Sequence, residues 1–202
     1  MAENGSFVKD GPEVVFIGEV DPKATKTVID WIHHHDETRG VMCGVRSAYV
    51  ERGAVTQAWR DYMWTWYHHL EWVDDFRAVD DAIIKFFVEV PNEKTMAYHD
   101  LLSRELGGLM VPTTSGHGSI DIIIPGCHKA SGVERLATRW GIDASQVVAF
   151  GDGGNDIEML RYAGVGYAVD NATDDVKAVA NRTCPSNDED GVLQVLERLF
   201  PG

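Results

Sequence analysis

The 202-residue sequence is poor in basic residues, in cysteine and in long apolar runs. Lys and Arg number 18 against 32 Asp and Glu, a formal net charge of −14. Duplex nucleic acid and anionic membrane both demand a basic footprint, so neither is expected as a main partner. A phosphorylated small molecule remains compatible, because one local lysine and a metal ion can hold a phosphate on an acidic protein. No apolar run reaches the roughly 18 residues needed to cross a bilayer. The opening residues MAENGSFVKDGPEVV have neither the basic nor the apolar region of a signal peptide, so a cytoplasmic location is expected. Cys43, Cys127 and Cys184 are far apart and form no CxxC, which excludes a disulfide framework or zinc knuckle. Cys43 and Cys127 are expected as small buried hydrophobes. Repeats and low-complexity linkers are absent too.

What is present is an ordinary globular composition, 44% hydrophobic and 25% charged. Val14–Ile17 reads as a strand and Ala24–His35 as a helix. Val41–Val45 and Ser47–Val50 read as strands, Val55–Leu70 as a helix, and Ile83–Val90 as a strand ended by Pro91. Lys94–Leu106 is a helix. Leu109–Pro112 and Ser119–Pro125 form a strand pair around a polar turn, Thr113–Gly118. From Cys127 the rhythm becomes αβαβ: helices at Lys129–Trp140, Ile157–Ala163, Asp174–Ala180 and Gly191–Leu199, strands at Gln146–Phe150 and Gly166–Val169. That alternation predicts a parallel, two-faced sheet, whereas residues 21–124 read as an α+β insert.

The strongest chemical signal runs from Val147 to Leu160. An apolar strand delivers Asp152 to its tip, glycines turn the chain, and Asn155-Asp156 opens a helix. Ligands in open α/β sheets bind at that edge. Asp152 suits Mg²⁺, which takes oxygen ligands and often needs only one or two carboxylates beside phosphate and water. Asn155 can donate to a phosphate oxygen, and Asp156 can cap its helix or support Asp152. Lys129 opens a helix just past a strand. The helix dipole disfavours a cation there by some tenths of a kcal/mol, so its placement suits an anion site, where it would offset phosphoryl charge.

These residues carry a resemblance. GDGGND at 151–156, His128-Lys129-Ala130, Pro125-Gly126, Ile120-Asp121, Thr114-Ser115-Gly116, Cys43-Gly44 with Ser47–Val50, and Ala2–Gly5 together resemble the Cof-type sugar-phosphate phosphatases of the haloacid dehalogenase superfamily. The resemblance implies an α/β fold: a Rossmann-like parallel sheet, incomplete at the N-terminus, in residues 1–20 and 125–202, with an inserted α+β type IIB cap in 21–124. It implies Mg²⁺-dependent hydrolysis of small phosphate monoesters, sugar phosphates foremost. Lys129 would neutralise phosphate, Asp152 would hold the metal with Asp156 beside it, and Asn155 would bind phosphate.

Family members begin with a strand ending in DxDGT, which supplies the nucleophile and the general acid, and then a second phosphate-binding strand. This sequence starts after both, so on the order of 60 residues, about two βα units, are expected to be missing. Asp188-Glu189-Asp190-Gly191-Val192 has DxDGV spacing, but Thr183–Asn187 before it is too polar and proline-broken for a buried strand. The segment reads as a helix entry. Catalysis by this chain alone is therefore expected to be absent or very weak. The rival readings are a phosphate-binding pseudophosphatase, one half of a split enzyme, or a chain completed by a partner or homo-oligomer.

Other features read as structural. His33-His34-His35 points in several directions and suits a solvated helix end. His68-His69 and the Trp59–Trp72 stretch read as a helix face and core. Arg46 and His117 stand in polar loops as candidate substrate contacts.

Overall fold

The structure is a computed structural model that describes residues 1–53 and 55–201. Residues 54 and 202, inside the expected cap and core spans, lie outside the described residues. The chain forms two compact units. One contains residues 3–15 and 128–202, and the other contains residues 16–127.

The chain opens with a 3-10 turn at Glu3–Gly5, followed by β1 (Phe7–Asp10) and β2 (Glu13–Ile17), which form a two-stranded ribbon. The turn between them places Gly11 at φ 56°, a left-handed conformation that glycine adopts without cost. β1 has no counterpart in the sequence-based reading. Its four residues alternate Phe, Val, Lys, Asp, a pattern too short to stand out from a loop.

The second unit holds α1 (Pro22–His33), β3 (Arg39–Gly44), β4 (Ala48–Glu51), α2 (Gln57–Met63), β5 (Leu70–Val73), β6 (Ile83–Glu89), α3 (Thr95–Leu106), β7 (Val111–Gly116) and β8 (Ser119–Ile123). Its six-stranded sheet has the order β5-β4-β3-β6-β8-β7. Every pairing is antiparallel except β4 with β5. α1 begins where Asp21 accepts from the Lys23 amide and Pro22 fits the first turn. Val28, Ile29 and Ile32 of α1 and Leu102 and Leu106 of α3 bury against Phe86, Val88, Ile120 and Ile122 of the sheet. By strand alternation Lys85, Phe87 and Asp121 face the opposite side.

Four expectations are corrected here. The helix expected over Val55–Leu70 stops at Met63, because Leu70–Val73 pairs in register with Ala48–Glu51 as β5. Within 64–69, the Thr65 hydroxyl donates to the Tyr62 carbonyl at 2.6 Å, a local bond that competes with helix. His68 and His69 are consequently exposed loop residues, not a packed helix face. The Trp-rich stretch is only partly core: Trp59 and Met63 are buried, but Tyr62, Trp64 and Trp66 are exposed. The turn expected over Thr113–Gly118 shrinks to His117-Gly118, with φ of 53° and 82°, so β7 runs on to Gly116 through a bulge. Positive φ at both residues is what a two-residue hairpin loop requires.

The first unit resumes with α4 (Lys129–Trp140), β9 (Val148–Gly151), α5 (Ile157–Tyr162), β10 (Val165–Val169), α6 (Asp174–Val179), β11 (Arg182–Cys184) and α7 (Gly191–Leu199). Its sheet is parallel throughout, in the order β11-β10-β9. Ala149, Leu160, Ala168, Val176 and Val195 build the core between sheet and helices. β9 starts two residues later than expected because an Asp143–Gln146 capping box holds Ala144–Gln146 in a 3-10 turn. β11, which covers Thr183-Cys184, has no counterpart in the sequence-based reading, but it agrees with the reading that this stretch is no buried strand. It is an edge strand whose only buried residue is Cys184, so its polar residues stay in water. Asp190, at φ 55°, is the N-cap of α7, so the DxDGV-like run is a helix entry.

Candidate active site

Asp152 follows β9 at its C-terminal tip, where the chain enters the 3-10 turn Gly154–Asp156. The turn folds back on the strand. Asp156 Oδ2 accepts from the Asp152 amide at 3.0 Å and the Gly153 amide at 3.3 Å. This close return explains Gly151: a Cβ there would lie 2.5 Å from Asp156 Cβ. Asp156 is 3% exposed, so its charge needs compensation. Lys129 provides it, with Nζ ion-paired to Asp156 Oδ1.

Lys129 Nζ also donates to Asn155 Oδ1 at 3.2 Å. α4 positions the lysine as its first residue. His128 is the N-cap: its Nδ1 accepts from the Ser131 amide at 3.2 Å, and its own amide donates to Ser131 Oγ at 3.1 Å. The cation that the helix dipole disfavours is thus offset by a carboxylate and an amide oxygen.

Lys129, Asn155 and Asp156, three of the four residues singled out from sequence, form one connected cluster, and Asp152 is tied to it through its own backbone amide. The Asp152 carboxylate is exposed and outside the ion pair. Asp156, by contrast, has both oxygens engaged, so it acts here as the brace of the turn. The donor set fits Mg²⁺ as an outward-facing carboxylate on a rigid strand tip, the minimum that this ion needs when phosphate and water complete its shell. Among the described residues, no group of three His, Cys, Asp or Glu forms a metal cage.

One residue escaped the sequence reading. Asn4 is buried, with φ 51°, and its Oδ1 accepts from Asn155 Nδ2 at 3.5 Å. Gly5 beside it has φ 86°, and a Cβ there would lie 2.5 Å from the His128 carbonyl oxygen. The Asn-Gly pair signals a turn, but nothing in sequence places it against a residue 151 positions away.

The remaining candidates resolve as structure. His33 Nε2 pairs with Glu51 at 2.8 Å, while His34 and His35 bond to the carbonyls of Asp30 and Trp31. Arg46 pairs with Asp81 at 3.3 Å. Cys43 and Cys127 are buried. His117 lines a cavity of the second unit.

A βαβ-wound parallel sheet with a lysine, an asparagine and two aspartates gathered at a strand tip places its polar groups at the edge where open α/β sheets bind ligands. The chain belongs to the haloacid dehalogenase-like hydrolases, whose family model matches residues 1–196. It is 41% identical over 200 residues to the Escherichia coli 5-amino-6-(5-phospho-D-ribitylamino)uracil phosphatase YbjI, covering 99% of this chain and 73% of that protein. A Bacillus subtilis phosphatase of the same name, YitU, is 44% identical over 81 residues, 40% of this chain and 30% of that one. Among solved structures, the Streptococcus mutans protein SMU.1108c superposes with a TM-score of 0.91 at 30% identity, covering 99% of this chain and 76% of that one. The subclass IIB sugar phosphatase BT4131 superposes with a TM-score of 0.84 at 21% identity, covering 97% of this chain and 73% of that one, and so shares the fold.

Proposed function

We propose that this chain carries the phosphate- and metal-holding part of a Mg²⁺-dependent phosphatase of small phosphate monoesters, sugar phosphates foremost. The observation that carries the reading is the Lys129–Asn155–Asp156 cluster beside Asp152. In this reading Lys129 Nζ leaves Asp156 in part to meet a phosphate oxygen, and its fixed charge stabilises the anion. Asn155 Nδ2 donates to a second oxygen, held in place by Asn4. Asp152 holds Mg²⁺, which when bound supplies charge neutralisation at the phosphoryl group. Asp156 keeps Asp152 and Lys129 in register. The E. coli relative, itself a phosphatase of a small phosphate ester, supports this class.

Transfer to an aspartyl-phosphate also needs an attacking carboxylate. Asp156 is engaged by Lys129 and two amides, and Asp152 is given to the metal. The attacking group is therefore supplied by a segment outside the four residues. Among the described residues β9 and β11 are the two edges of this sheet, and a strand added beside β9, the strand that leads into Asp152, would cover its open edge.

The test is hydrolysis of p-nitrophenyl phosphate and a hexose phosphate, with and without Mg²⁺, alongside inorganic phosphate binding by calorimetry. The expected result is negligible turnover by the chain alone, with Mg²⁺-dependent phosphate binding that Asp152→Ala abolishes and Lys129→Ala weakens at least tenfold. Mg²⁺-dependent turnover lost in Asp152→Ala would assign the attack to a carboxylate within this chain, Asp188 or Asp190. Phosphate binding that ignores both substitutions would overturn the reading.

A further inference from the structure

His128 is the one histidine of the first unit; the other seven lie between His33 and His117, in the second. It stands directly before Lys129, at the N-cap of α4. Helix N-caps favour Ser, Thr, Asp and Asn, whose short side chains offer an oxygen to the free amides of the first turn. An imidazole does this work here. Its Nδ1 accepts from the Ser131 amide at 3.2 Å, and the Ser131 hydroxyl closes the box by accepting from the His128 amide at 3.1 Å. A backbone N–H can only donate, so Nδ1 offers its lone pair and the neutral ring keeps its proton on Nε2. The frame around this bond is tight. Ser131 is buried, and a Cβ on Gly5 would lie 2.5 Å from the His128 carbonyl oxygen.

A serine would cap this helix at any pH. A histidine adds a cap that is lost on protonation. The imidazolium donates from both nitrogens and accepts at neither. It would set an N–H against the Ser131 N–H, and a second positive charge at the helix end whose dipole already disfavours Lys129. Imidazole titrates near pH 6.5, so this change falls between about pH 5.5 and 7.5. The other charges around α4 belong to several elements. The opening turn contributes Glu3, β1 Lys9 and Asp10, the turn after β9 Asp156, and α5 Glu158 and Arg161. α4 itself carries Lys129, Glu134 and Arg135. Carboxylates, lysines and arginines keep their charge over that range, and an α-amino group such as that of Met1, whose side chain lies against Gly132, titrates at about pH 8.

We infer that His128 is a positioning residue for Lys129. Its neutral ring holds the first turn of α4, and with it the Lys129 ammonium against Asp156 and Asn155, and its protonation releases them. The effect reaches the Asp152 turn through Asp156, which takes Lys129 on Oδ1 and the Asp152 and Gly153 amides on Oδ2. The coupling stands on this geometry alone. Its consequence for anion binding rests on the reading of Lys129 as the group that holds phosphate.

The test compares the full chain with His128→Ser and His128→Ala by NMR and calorimetry between about pH 5.5 and 7.5. With no anion present, the Ser131, Asp152 and Gly153 amide resonances are expected to move together with the His128 ring in the wild type and to stay still in His128→Ser. Sulfate, which keeps its charge over this range, is then titrated in with Mg²⁺. The wild type is expected to bind it at least about threefold more weakly at the acid end, although the ring has gained a positive charge. His128→Ser should hold the wild type's alkaline affinity throughout, and His128→Ala, which has no cap, should bind weakly throughout. Asp152 and Gly153 amides that ignore the ring would overturn the inference. A step that persists in His128→Ser would also overturn it, because serine leaves every other charge around α4 in place. Sulfate binding that strengthens as the ring protonates would make His128 a plain positive charge and overturn it too. Amides that follow the ring while sulfate binds at no pH would uphold the coupling and count against the phosphate reading alone.

Discussion

The two units of this chain hold their polar groups by different means. In the first, backbone amides share the work with the side chains of Lys129 and Asn155. Asp156 accepts from two successive amides, and Gly151 exists to let that carboxylate approach. In the second, the polar groups of the cavity are held by side chains from distant strands and a helix, Lys85 with Asp121 and Trp59 with Glu89.

Three perturbations probe that contrast, beginning with the largest. Phe86 lies fully buried at the centre of the second unit's core. Phe86→Ala should cost about 3–5 kcal/mol. Hydrogen exchange should speed up across β3, β6 and β8 while β9 and β10 stay protected, because the first unit has its own core. Uniform acceleration in both would show one cooperative unit and dissolve the contrast. Next is Asp156→Ala, which leaves Lys129 without its carboxylate and the Asp152 and Gly153 amides without an acceptor. A fully buried pair broken this way costs several kcal/mol, but Lys129 is partly exposed, so about 2 kcal/mol is expected in urea unfolding. Asp156→Asn should restore only part of it, since its single amide oxygen can accept from the two backbone amides while its NH2 is set against the Lys129 ammonium. An unchanged exchange rate at the Asp152 amide in Asp156→Ala would refute the brace.

How much of this was legible in the sequence follows the same division. α4 and α7 run over the residues expected of them, and α6 lacks only its last, because Gly141, Asp174 and Gly191 punctuate them locally. Lys129, Asn155 and Asp156 were found from motif and position, and the structure brings them together. What was illegible depends on tertiary pairing. Leu70–Val73 has no strand signature of its own and becomes β5 only by lying beside β4. Trp66 looks like core in a helical wheel, and the early end of α2 leaves it in an exposed turn. Asn4 reaches Asn155 across the whole chain. Polar contacts that join distant segments leave no periodicity to read.

The smallest expected effect concerns the knot beside Gly44, where the pairing of β3 with β6 shifts register and a side-chain network of the second unit borrows backbone donors, as the first unit does. Asp81 is 3% exposed in its side chain. Its Oδ2 accepts from the Arg46 amide and the Tyr49 hydroxyl, each at 2.9 Å, and its Oδ1 from the Ala82 amide at 2.9 Å. Burial pushes its pKa up, but these bonds outweigh it and hold the carboxyl below its ordinary value. Burial first, then the Asp81 bond and charge, push Tyr49 up to about 12. A depressed carboxyl contributes stability above its unfolded pKa of about 3.9 and loses it as pH falls through the folded value. A raised phenol contributes below its unfolded value of about 10 and loses it as pH climbs towards the folded one. Tyr49→Phe should therefore lower stability by about 1 kcal/mol on a plateau between roughly pH 5 and 9, with the gap to wild type closing at both ends. Thermal melts across that range measure it. A gap that stays constant as pH falls through the folded Asp81 value would mean that the hydroxyl bond does not depend on the Asp81 charge. The knot would then be a matter of shape, closer to the aromatic packing around it than to the charged turn of the first unit.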